Sequence, residues 1–355
     1  VVFKSLSQEA FIHKTKQNTL EGSLYRYFQE TLSDKEVQQH IVDEFPEASI
    51  HRRNTGYALD ALLKQQPFME SDLEFNLSKL LTGSEGTLAF TTSITLQLDS
   101  LPPPHAVILA LHFDSIHKAM QAVVPVMKHN LYTCELMDKT ILDCTKEHSG
   151  YQEHRFFLQG DPKAILFLEL RAEEFSQLEK QLVELEETVR QTNQSYAAVP
   201  LWGEAIEKAN ELRHAGLGLL GNLVGDNKAV ACIEDTAVPL ESLADYIAEF
   251  QELMKDFGQE VVYYAHAGAG ELHLRPILNL KTSEGVQDFK AITLAVAYLV
   301  KKYKGALSGE HGDGIVRSEF IAIVVGQKNY ALFKAIKTLF DPHYIFNPGK
   351  IVDSF

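Results

Sequence analysis

The stretch Tyr264-Ala-His-Ala-Gly-Ala-Gly-Glu-Leu-His-Leu-Arg-Pro276 decides how the rest of the chain is interpreted. Each glycine in a helix would cost about 1 kcal/mol, and the preceding Val261-Val-Tyr-Tyr264 is typical of a strand. We therefore predict a β-hairpin. Alternation along its two strands places five polar side chains on one face: Tyr264, His266, Glu271, His273 and Arg275.

The position of the turn decides which of these side chains meet. A turn centred on Ala269-Gly270 sets His266 opposite His273, with their Cβ atoms about 5 Å apart. A turn centred one residue earlier sets Glu271 opposite His266 and changes the set of candidate ligands. Two imidazoles and a carboxylate on one face are suited to a divalent metal. The alternative is a pair of structural histidines that are satisfied by hydrogen bonds.

The composition limits the classes of partner. The 355 residues, 45% of them hydrophobic, are enough for two domains or for one large domain with an insertion. A formal net charge of -15 argues against nucleic acid or an anionic membrane as partner. No apolar run approaches the ~18 residues of a membrane span. Cys134, Cys144 and Cys232 are too scattered for a disulfide framework, which favours a reducing compartment.

The order of predicted elements indicates an α+β fold with a domain boundary at Leu101-Pro-Pro-Pro104. Before this boundary, residues 1–50 are mostly helical, with a break between helices predicted at Glu30-Thr-Leu-Ser-Asp34. Leu88 to Leu98 alternates like a strand. Beyond it, strands alternate with helices, which predicts a sheet with helices on its other side. The predicted strands there include Ala106 to Phe113, Thr133 to Met137, Ala164 to Ala172 and Val230 to Val238.

Two glycine-rich segments carry further polar groups. The turn Gly83-Ser-Glu-Gly-Thr87 offers backbone N–H groups and hydroxyls suited to a phosphate or a sugar, or is a plain tight turn. The loop from Gly305 to Gly314 brackets Glu310 and His311 with glycines. Neighbouring residues on an extended segment point in opposite directions. Glu310 could therefore complete a His-His-Glu metal site while His311 transfers protons; an ordinary exposed turn is the alternative.

These clusters, with the Asn347-Pro-Gly-Lys350 tail, resemble the FAD-linked oxidase family of 2-hydroxy-acid dehydrogenases. That family is similar to the vanillyl-alcohol-oxidase flavoproteins and includes D-lactate, glycolate and D-2-hydroxyglutarate dehydrogenases. The resemblance spans essentially the whole chain and is most specific at the paired histidines and Glu310-His311. It implies that residues 1–100 are the C-terminal part of an FAD-binding domain. Residues 101–305 would be an antiparallel-sheet substrate (cap) domain with flanking helices, and residues 306–355 a helical segment returning to the flavin domain.

The resemblance also implies roles for single residues in the oxidation of a D-2-hydroxy acid. His266, His273 and Glu310 would hold a divalent metal, zinc or manganese, that grips the substrate hydroxyl and carboxylate. His311 would take the hydroxyl proton while hydride passes to FAD. Arg213 and Arg275 would bind the carboxylates of the small anionic substrate. The residues that would contact the FAD are Gly83, Ser84, Glu85, Gly86, Thr87 and Asn347.

The chain departs from the family pattern at three positions. Ala269 and Glu271 stand where an acidic residue and an asparagine are usual, and Ile233 stands where some relatives place a substrate-binding lysine. The N-terminal glycine-rich loop that grips the FAD pyrophosphate is not found. We therefore expect a central-to-C-terminal fragment of a larger flavoenzyme, inactive alone, located in the cytoplasm or at the periphery of the inner membrane. An iron–sulfur domain or protein is the candidate electron acceptor.

Two other functions remain open from the sequence. A metal-dependent hydrolase could use the His-His-Glu site to activate water, with His311 as base. A non-catalytic module would use its glycines only for turns and its histidines only for structure. The flavin separates these alternatives from the first hypothesis, since only a dehydrogenase needs the turn at Gly83 and Asn347 beside an FAD.

Overall fold

A computed structural model describes residues 1–146 and 148–354, so that Glu147 and the last residue of the predicted segment 306–355 lie outside the description. The elements follow in chain order: α1 (Gln8–Thr15), α2 (Leu20–Ser33), α3 (Lys35–Glu44), α4 (Leu59–Leu63), α5 (Ser78–Leu81), β1 (His105–Phe113), α6 (Ile116–Val126), β2 (Thr133–Asp138), α7 (Lys139–Lys146), β3 (Ala164–Ala172), α8 (Phe175–Thr192), β4 (Ala197–Trp202), α9 (Glu204–Leu219), β5 (Lys228–Ala229), β6 (Ile233–Ala237), α10 (Leu243–Asp256), β7 (Val261–His266), β8 (Glu271–Leu278), α11 (Ser283–Lys302), α12 (Gly314–Arg317), α13 (Ile321–Val325) and α14 (Gln327–Phe340).

The chain divides into two compact units. The first unit consists of Val1–Ala48, Arg53–Thr95 and Val300–Phe355, and the second consists of Ser49–Arg52 and Leu96–Leu299. Each unit has a hydrophobic core of its own.

The first unit is built from helices around an aromatic core. The rings of Phe11 and Phe75 pack edge-to-face with centroids 4.7 Å apart, and Tyr25 packs against both. Such pairs add to the energy of area burial. Asp34, inside the break predicted between two helices, ends α2, and its carboxylate accepts hydrogen bonds from the first turn of α3.

A buried lysine fixes the polar turn and the C-terminal tail of the first unit. The Nζ of Lys337 donates to the carbonyl oxygens of Thr87 and Phe346 at 2.7 and 2.6 Å, and to the carboxylate of Asp341 at 2.6 Å. All three donors of the ammonium group are thereby used, as a buried charge requires. The turn that ends at Thr87 is therefore anchored beside the tail that carries Asn347.

The second unit contains an antiparallel eight-stranded sheet, with the strand order β4-β1-β3-β2-β7-β8-β5 and β6 also paired with β8. The α+β class with an antiparallel sheet and flanking helices is confirmed. The four strands predicted beyond the boundary are all present, and their ends differ from the prediction by at most three residues.

Helices cover both faces of this sheet rather than one. Every residue from Val107 to Phe113 is buried, and a strand covered on both faces shows such a continuous run. Side chains on one face of the sheet, such as Ile108 and Phe167, share a core with residues of α7 and α9. Helices α6 and α8 also pack against β1 and β3. The continuous apolar runs are the sequence signal for this second helical layer.

The prediction of a strand from Leu88 to Leu98 is wrong for the described residues. Residues 89–103 form neither a helix nor a strand in the part of the chain that the structure describes. The alternation that suggested a strand is real, because Phe90, Ile94, Leu96 and Leu98 share a parity and each is more than 70% exposed. Alternation shows that a segment suits a sheet, but only a neighbouring strand makes it one.

The structure gives the state of the three cysteines and the character of the helices. Cys134 and Cys232 are buried, Cys144 is half-buried, and all three are free thiols. Within residues 1–146 and 148–354, none of the helices combines the length and the apolarity needed to cross a bilayer.

One buried histidine lies in the sheet away from the polar hairpin. The ring of His112, near the end of β1, is fully buried, with its centroid 6.5 Å from that of Phe157 and 6.0 Å from that of Tyr196. Burial lowers the pKa of His112, and nearby backbone groups offset only part of this effect.

We predict that His112 makes the protein less stable in mild acid. Because its folded-state pKa lies below the unfolded value of about 6.5, the unfolded state binds more protons between the two values. The free energy of unfolding therefore falls as the pH drops through about 6.5 toward the folded-state pKa. The variant His112→Phe keeps an aromatic ring but no titration. Urea unfolding at about pH 7.5 and about pH 5.5 gives the loss of unfolding free energy between these two values, and this loss should be smaller for His112→Phe than for the wild type.

The control for this prediction is the same change at His214, an exposed histidine of the same unit. His214→Phe should keep the wild-type pH dependence. An equal loss of stability in His112→Phe and in the wild type would contradict the prediction.

Candidate functional site

Three adjacent strands of the second unit bring the predicted polar face together. In the register of β7, β8 and β6, His273 lies between Tyr264 on one side and Glu234 on the other. His266 lies opposite Glu271, so the hairpin has the second of the two registers considered above, and the direct His266–His273 pairing is wrong. The predicted sharing of one face is unaffected, because the two histidines are diagonal neighbours of the same parity.

The two imidazoles are nevertheless close enough to serve a common ligand. Their ring centroids are 5.2 Å apart and their planes are inclined by 80°. His273 is buried and stacks on the ring of Tyr264, whereas His266 is half-buried. Imidazole nitrogens are common ligands of zinc and other divalent transition metals. The donor chemistry of this pair therefore fits the metal that the sequence suggests.

His266 is held by a glutamate that the sequence analysis did not single out. Its Nδ1 lies 2.8 and 3.0 Å from the two carboxylate oxygens of Glu135 on β2. The same carboxylate forms an ion pair with Arg213 on α9, whose guanidinium lies over the ring of Tyr264, 4.5 Å from its centroid. Burial alone would raise the pKa of Glu135, but the His266 hydrogen bond and the Arg213 charge outweigh it and lower that pKa.

A second arginine–glutamate pair flanks His273. Arg275 donates through Nε and Nη2 to both oxygens of Glu234, at 2.6 and 2.8 Å. This two-point geometry is the strongest that guanidinium and carboxylate groups make. An oxygen of Glu234 also lies 3.8 Å from Nδ1 of His273. Both arginines predicted to bind substrate thus have a glutamate partner within the chain.

A third pair contains one of the departures from the family pattern. The side chain of Glu271, which is fully buried, accepts a hydrogen bond from Arg52 at 2.8 Å. Arg52 is not among the residues that the sequence analysis singled out. Ile233, the other departure in this region, is a buried residue of β6. The polar face therefore carries three buried or half-buried glutamates, each compensated by an arginine.

The turn between β7 and β8 depends on its last glycine. Residues Ala267–Ala269 form one 3₁₀ turn, and Gly270 follows with φ of +69°. A Cβ added at Gly270 would lie 2.2 Å from the carbonyl oxygen of Val238, a backbone atom that cannot rotate away. This turn fixes the register that places His266 and His273 diagonally.

We predict that Gly270→Ala destabilises the protein by clearly more than the about 1–2 kcal/mol expected for a left-handed residue alone. The matched control is Gly258→Ala, since Gly258 has φ of +64° but nothing within 4 Å of its added Cβ. Denaturant unfolding gives the loss of unfolding free energy in each variant. The difference between the two losses is the cost of the clash with Val238 beyond that of the left-handed backbone. Equal losses of unfolding free energy would show that the turn can relax around the new methyl group.

The glycine-rich turn and the Glu-His loop meet within the first unit. The carboxylate of Glu85 accepts hydrogen bonds from the backbone N–H groups of Asp313 and Gly314, the closest at 2.7 Å. The side chain of Asn347 donates to the carbonyl oxygen of Glu85 at 2.7 Å. A Cβ at Gly312 would lie 2.8 Å from the Glu85 carboxylate, which explains a glycine there. Glu85 is therefore a structural residue of this loop.

Glu310 and His311 also belong to the first unit. Their side chains are 38% and 48% exposed, and Nε2 of His311 lies 3.4 Å from a carboxylate oxygen of Glu310. The amide of Asn54 donates to the carbonyl oxygen of Glu310 at 3.1 Å. Hydrogen bonds thus hold the backbone of the loop, and both side chains are partly exposed to solvent.

Glu135, Glu234 and Arg52 are the polar residues of the site that sequence reasoning missed as site residues. They come from segments far from the hairpin in sequence, and none stands in a distinctive motif. Glu234 lies within the predicted strand Val230 to Val238. Glu135 is an acidic residue within the predicted strand Thr133 to Met137, and a charged side chain in an otherwise buried strand was the available signal.

Comparisons with known proteins identify relatives of this chain. The chain is 34% identical over 328 residues to D-2-hydroxyglutarate dehydrogenase of Haemophilus influenzae, which covers 89% of this chain and 31% of that protein. It is 31% identical over 347 residues to D-2-hydroxyglutarate dehydrogenase of Escherichia coli, covering 95% and 33%. The chain thus spans about a third of the length of each of these two relatives.

The chain is also similar in fold to a solved structure, and it matches a family model. The structure of p-cresol methylhydroxylase with substrate bound is similar with a TM-score of 0.50 at 11% sequence identity, over 70% of this chain and 53% of that one. The model described as FAD linked oxidases, C-terminal domain, matches residues 102–351. A match over this much of the chain favours flavin chemistry over the hydrolase alternative. The chain belongs to the FAD-linked oxidase family and carries its C-terminal domain.

Proposed function

We propose that this chain provides the substrate- and metal-binding part of an FAD-dependent dehydrogenase that oxidises a D-2-hydroxy acid to the 2-oxo acid. The observation that carries the proposal is the pair His266 and His273, with ring centroids 5.2 Å apart on a polar sheet face. The relatives described as D-2-hydroxyglutarate dehydrogenases support this substrate class, with D-2-hydroxyglutarate before D-lactate and glycolate.

The metal ligands in this proposal are His266, His273 and Glu310, and the metal is zinc or manganese. Two imidazoles and one carboxylate form a common ligand set that leaves positions open for a substrate. When bound, the cation supplies positive charge for the hydroxyl and carboxylate of the substrate, and FAD supplies the acceptor for its hydride. The chain contributes the positions of these three side chains.

His311 is proposed as the base that takes the hydroxyl proton of the substrate. An imidazole is suited to this step because its ordinary pKa lies near neutral pH. Its side chain is half-exposed within its unit, so an incoming hydroxyl can reach a ring nitrogen.

Arg213 and Arg275 are proposed to bind the carboxylates of the substrate in addition to their glutamate partners. A guanidinium has five N–H donors, more than one carboxylate uses. The Nε of Arg213 is buried, and among the described residues no group accepts a hydrogen bond from it. A substrate carboxylate would supply that acceptor. The three arginine–glutamate pairs leave this face without a large net charge, so the cation would add to the attraction for an anion.

The FAD contacts are proposed for Gly83, Ser84, Glu85, Gly86, Thr87 and Asn347. Asn347 and the turn are linked through the carbonyl oxygen of Glu85, which supports a common role on the flavin side. The assignment of residues 1–100 and 306–355 to the flavin domain, and of residues 101–305 to the substrate domain, belongs to the same proposal. The proposal also places the protein in the cytoplasm or at the periphery of the inner membrane. It names an iron–sulfur domain or protein as the electron acceptor.

The test is anaerobic reduction of the FAD-loaded dehydrogenase that contains this chain, monitored by the loss of flavin absorbance. D-2-hydroxyglutarate, D-lactate and glycolate are compared with the L-enantiomers of the first two, each with and without a chelator. We expect bleaching by at least one D-2-hydroxy acid and a marked slowing with chelator. Bleaching by neither D acids nor glycolate would contradict the substrate class, and bleaching that the chelator leaves unchanged would contradict the metal.

A further inference from the structure

Glu135 stands out among the glutamates of the site because it contacts a proposed metal ligand directly. Both of its carboxylate oxygens lie within 3.0 Å of Nδ1 of His266. Glu234, the corresponding glutamate beside His273, lies 3.8 Å from Nδ1 of that ring, beyond hydrogen-bonding distance. The two histidines are therefore held in different ways.

The chemistry of this contact fixes the proton on His266. An ionised carboxylate can only accept hydrogen bonds, so Nδ1 must carry the hydrogen. In the neutral ring, Nε2 is then the unprotonated nitrogen, and an unprotonated nitrogen is the one that binds a metal. A histidine without such a partner divides its population between two tautomers and several ring orientations.

We propose that Glu135 is a positioning residue that fixes the tautomer and ring orientation of His266, so that Nε2 is presented to a divalent cation. This inference rests on the proposed function for the cation, but the tautomer itself is a property of the chain alone. Carboxylates that hold metal-binding histidines in this way typically contribute 10–100-fold to metal affinity.

Glu135 can fill this role because it is itself held in place. It lies on β2 in the middle of the sheet, next to β7, and forms an ion pair with Arg213 on α9. Arg213 is buried and packs over the ring of Tyr264, which in turn stacks on His273. Every member of this network lies in the second unit. A rigid support of this kind is what orients a ligand to within a few tenths of an ångström.

The first measurement is made on the full chain without added metal. Nitrogen-15 correlation spectra of the histidine rings distinguish a protonated Nδ1 from a protonated Nε2. We expect wild-type His266 to show the Nδ1–H tautomer alone. Glu135→Ala should give a mixture of tautomers, and Glu135→Gln should restore most of the Nδ1–H form because its amide oxygen still accepts a hydrogen bond.

The second measurement is titration of the same proteins with zinc or manganese alone. Glu135→Ala should weaken the affinity 10–100-fold, and Glu135→Gln should weaken it less. The matched control is Glu169→Ala, which removes a buried glutamate paired with Arg171 on the neighbouring strand β3. That variant should keep the His266 tautomer and the wild-type affinity. Thermal unfolding of each variant identifies any that fail to fold, in which case Glu135→Gln carries the comparison.

The outcomes separate this inference from the proposed function. An unchanged Nδ1–H signal in folded Glu135→Ala would overturn the positioning role, whatever the metal does. So would equal metal affinities of the wild type and that variant. A wild type that binds neither zinc nor manganese would overturn the metal-presenting role together with the proposed metal site.

Discussion

His311→Ala should slow the reduction of bound flavin by a D-2-hydroxy acid 100-fold or more while leaving the FAD in place. General-base catalysis by a side chain typically contributes 10²–10⁴-fold, and alanine cannot accept the substrate proton. The measurement is anaerobic stopped-flow at the flavin absorbance, with FAD content taken from the oxidised spectrum. Retained FAD is essential, because it shows that the loss lies in proton transfer and not in cofactor binding.

The control is His343→Ala, which removes another exposed histidine of the same unit. It should reduce its flavin at the wild-type rate. Reduction of the His311→Ala flavin at the wild-type rate would remove His311 from the mechanism. Loss of FAD from that variant would instead assign His311 to the cofactor site.

His273→Ala should weaken the binding of a divalent cation about 100-fold. A four-ligand zinc site binds with about 10–16 kcal/mol, so one ligand in four corresponds to about 3 kcal/mol, or about 100-fold in Kd. The measurement is a competition titration with a coloured chelator on the purified chain. His273 is buried against Tyr264, so unfolding of the variant must be checked separately.

A second substitution protects this prediction against a folding defect. His266 is the more exposed of the pair, and His266→Ala should give a similar loss of affinity with a smaller loss of stability. The control is His129→Ala, which removes a histidine of the same unit whose ring contacts Thr188 at 2.8 Å. Equal affinities of all three variants and the wild type would show that the histidine pair is not the metal site.

The departure at Glu271 affects how the site can hold an anion. An asparagine at this position would add no charge, whereas the buried Glu271 adds a negative charge that Arg52 compensates. A substrate carboxylate must therefore approach a face on which each arginine already has a partner. This arrangement favours a substrate that a cation helps to hold over one that arginines hold alone.

The sequence predicted which residues share the polar face, but not the register between them. Period-two alternation is local and survived in the structure, whereas the turn could be centred on either of two neighbouring positions. A residue outside the hairpin also constrains the turn, since the backbone N–H of Val238 donates to the carbonyl oxygen of Gly270 at 3.0 Å. A long-range backbone contact of this kind leaves no trace in the spacing of the hairpin itself.

The supporting glutamates were hidden for the same reason. Glu135 reaches His266 across 131 positions of sequence, and Arg52 reaches Glu271 across 219. Such pairs form because the strand order of the sheet brings β2 beside β7, and strand order follows from the whole chain. By contrast, the helix break at Asp34 could be predicted, because a capping carboxylate acts on its own next turn.

X-ray absorption at the zinc edge of the zinc-loaded chain counts the imidazoles bound to the metal, and therefore tests whether His266 and His273 both bind it. We expect two imidazole nitrogens at about 2.0–2.1 Å in the wild type, and a single one in His266→Ala. A wild-type spectrum explained by oxygen ligands alone, or one that His266→Ala leaves unchanged, would contradict it.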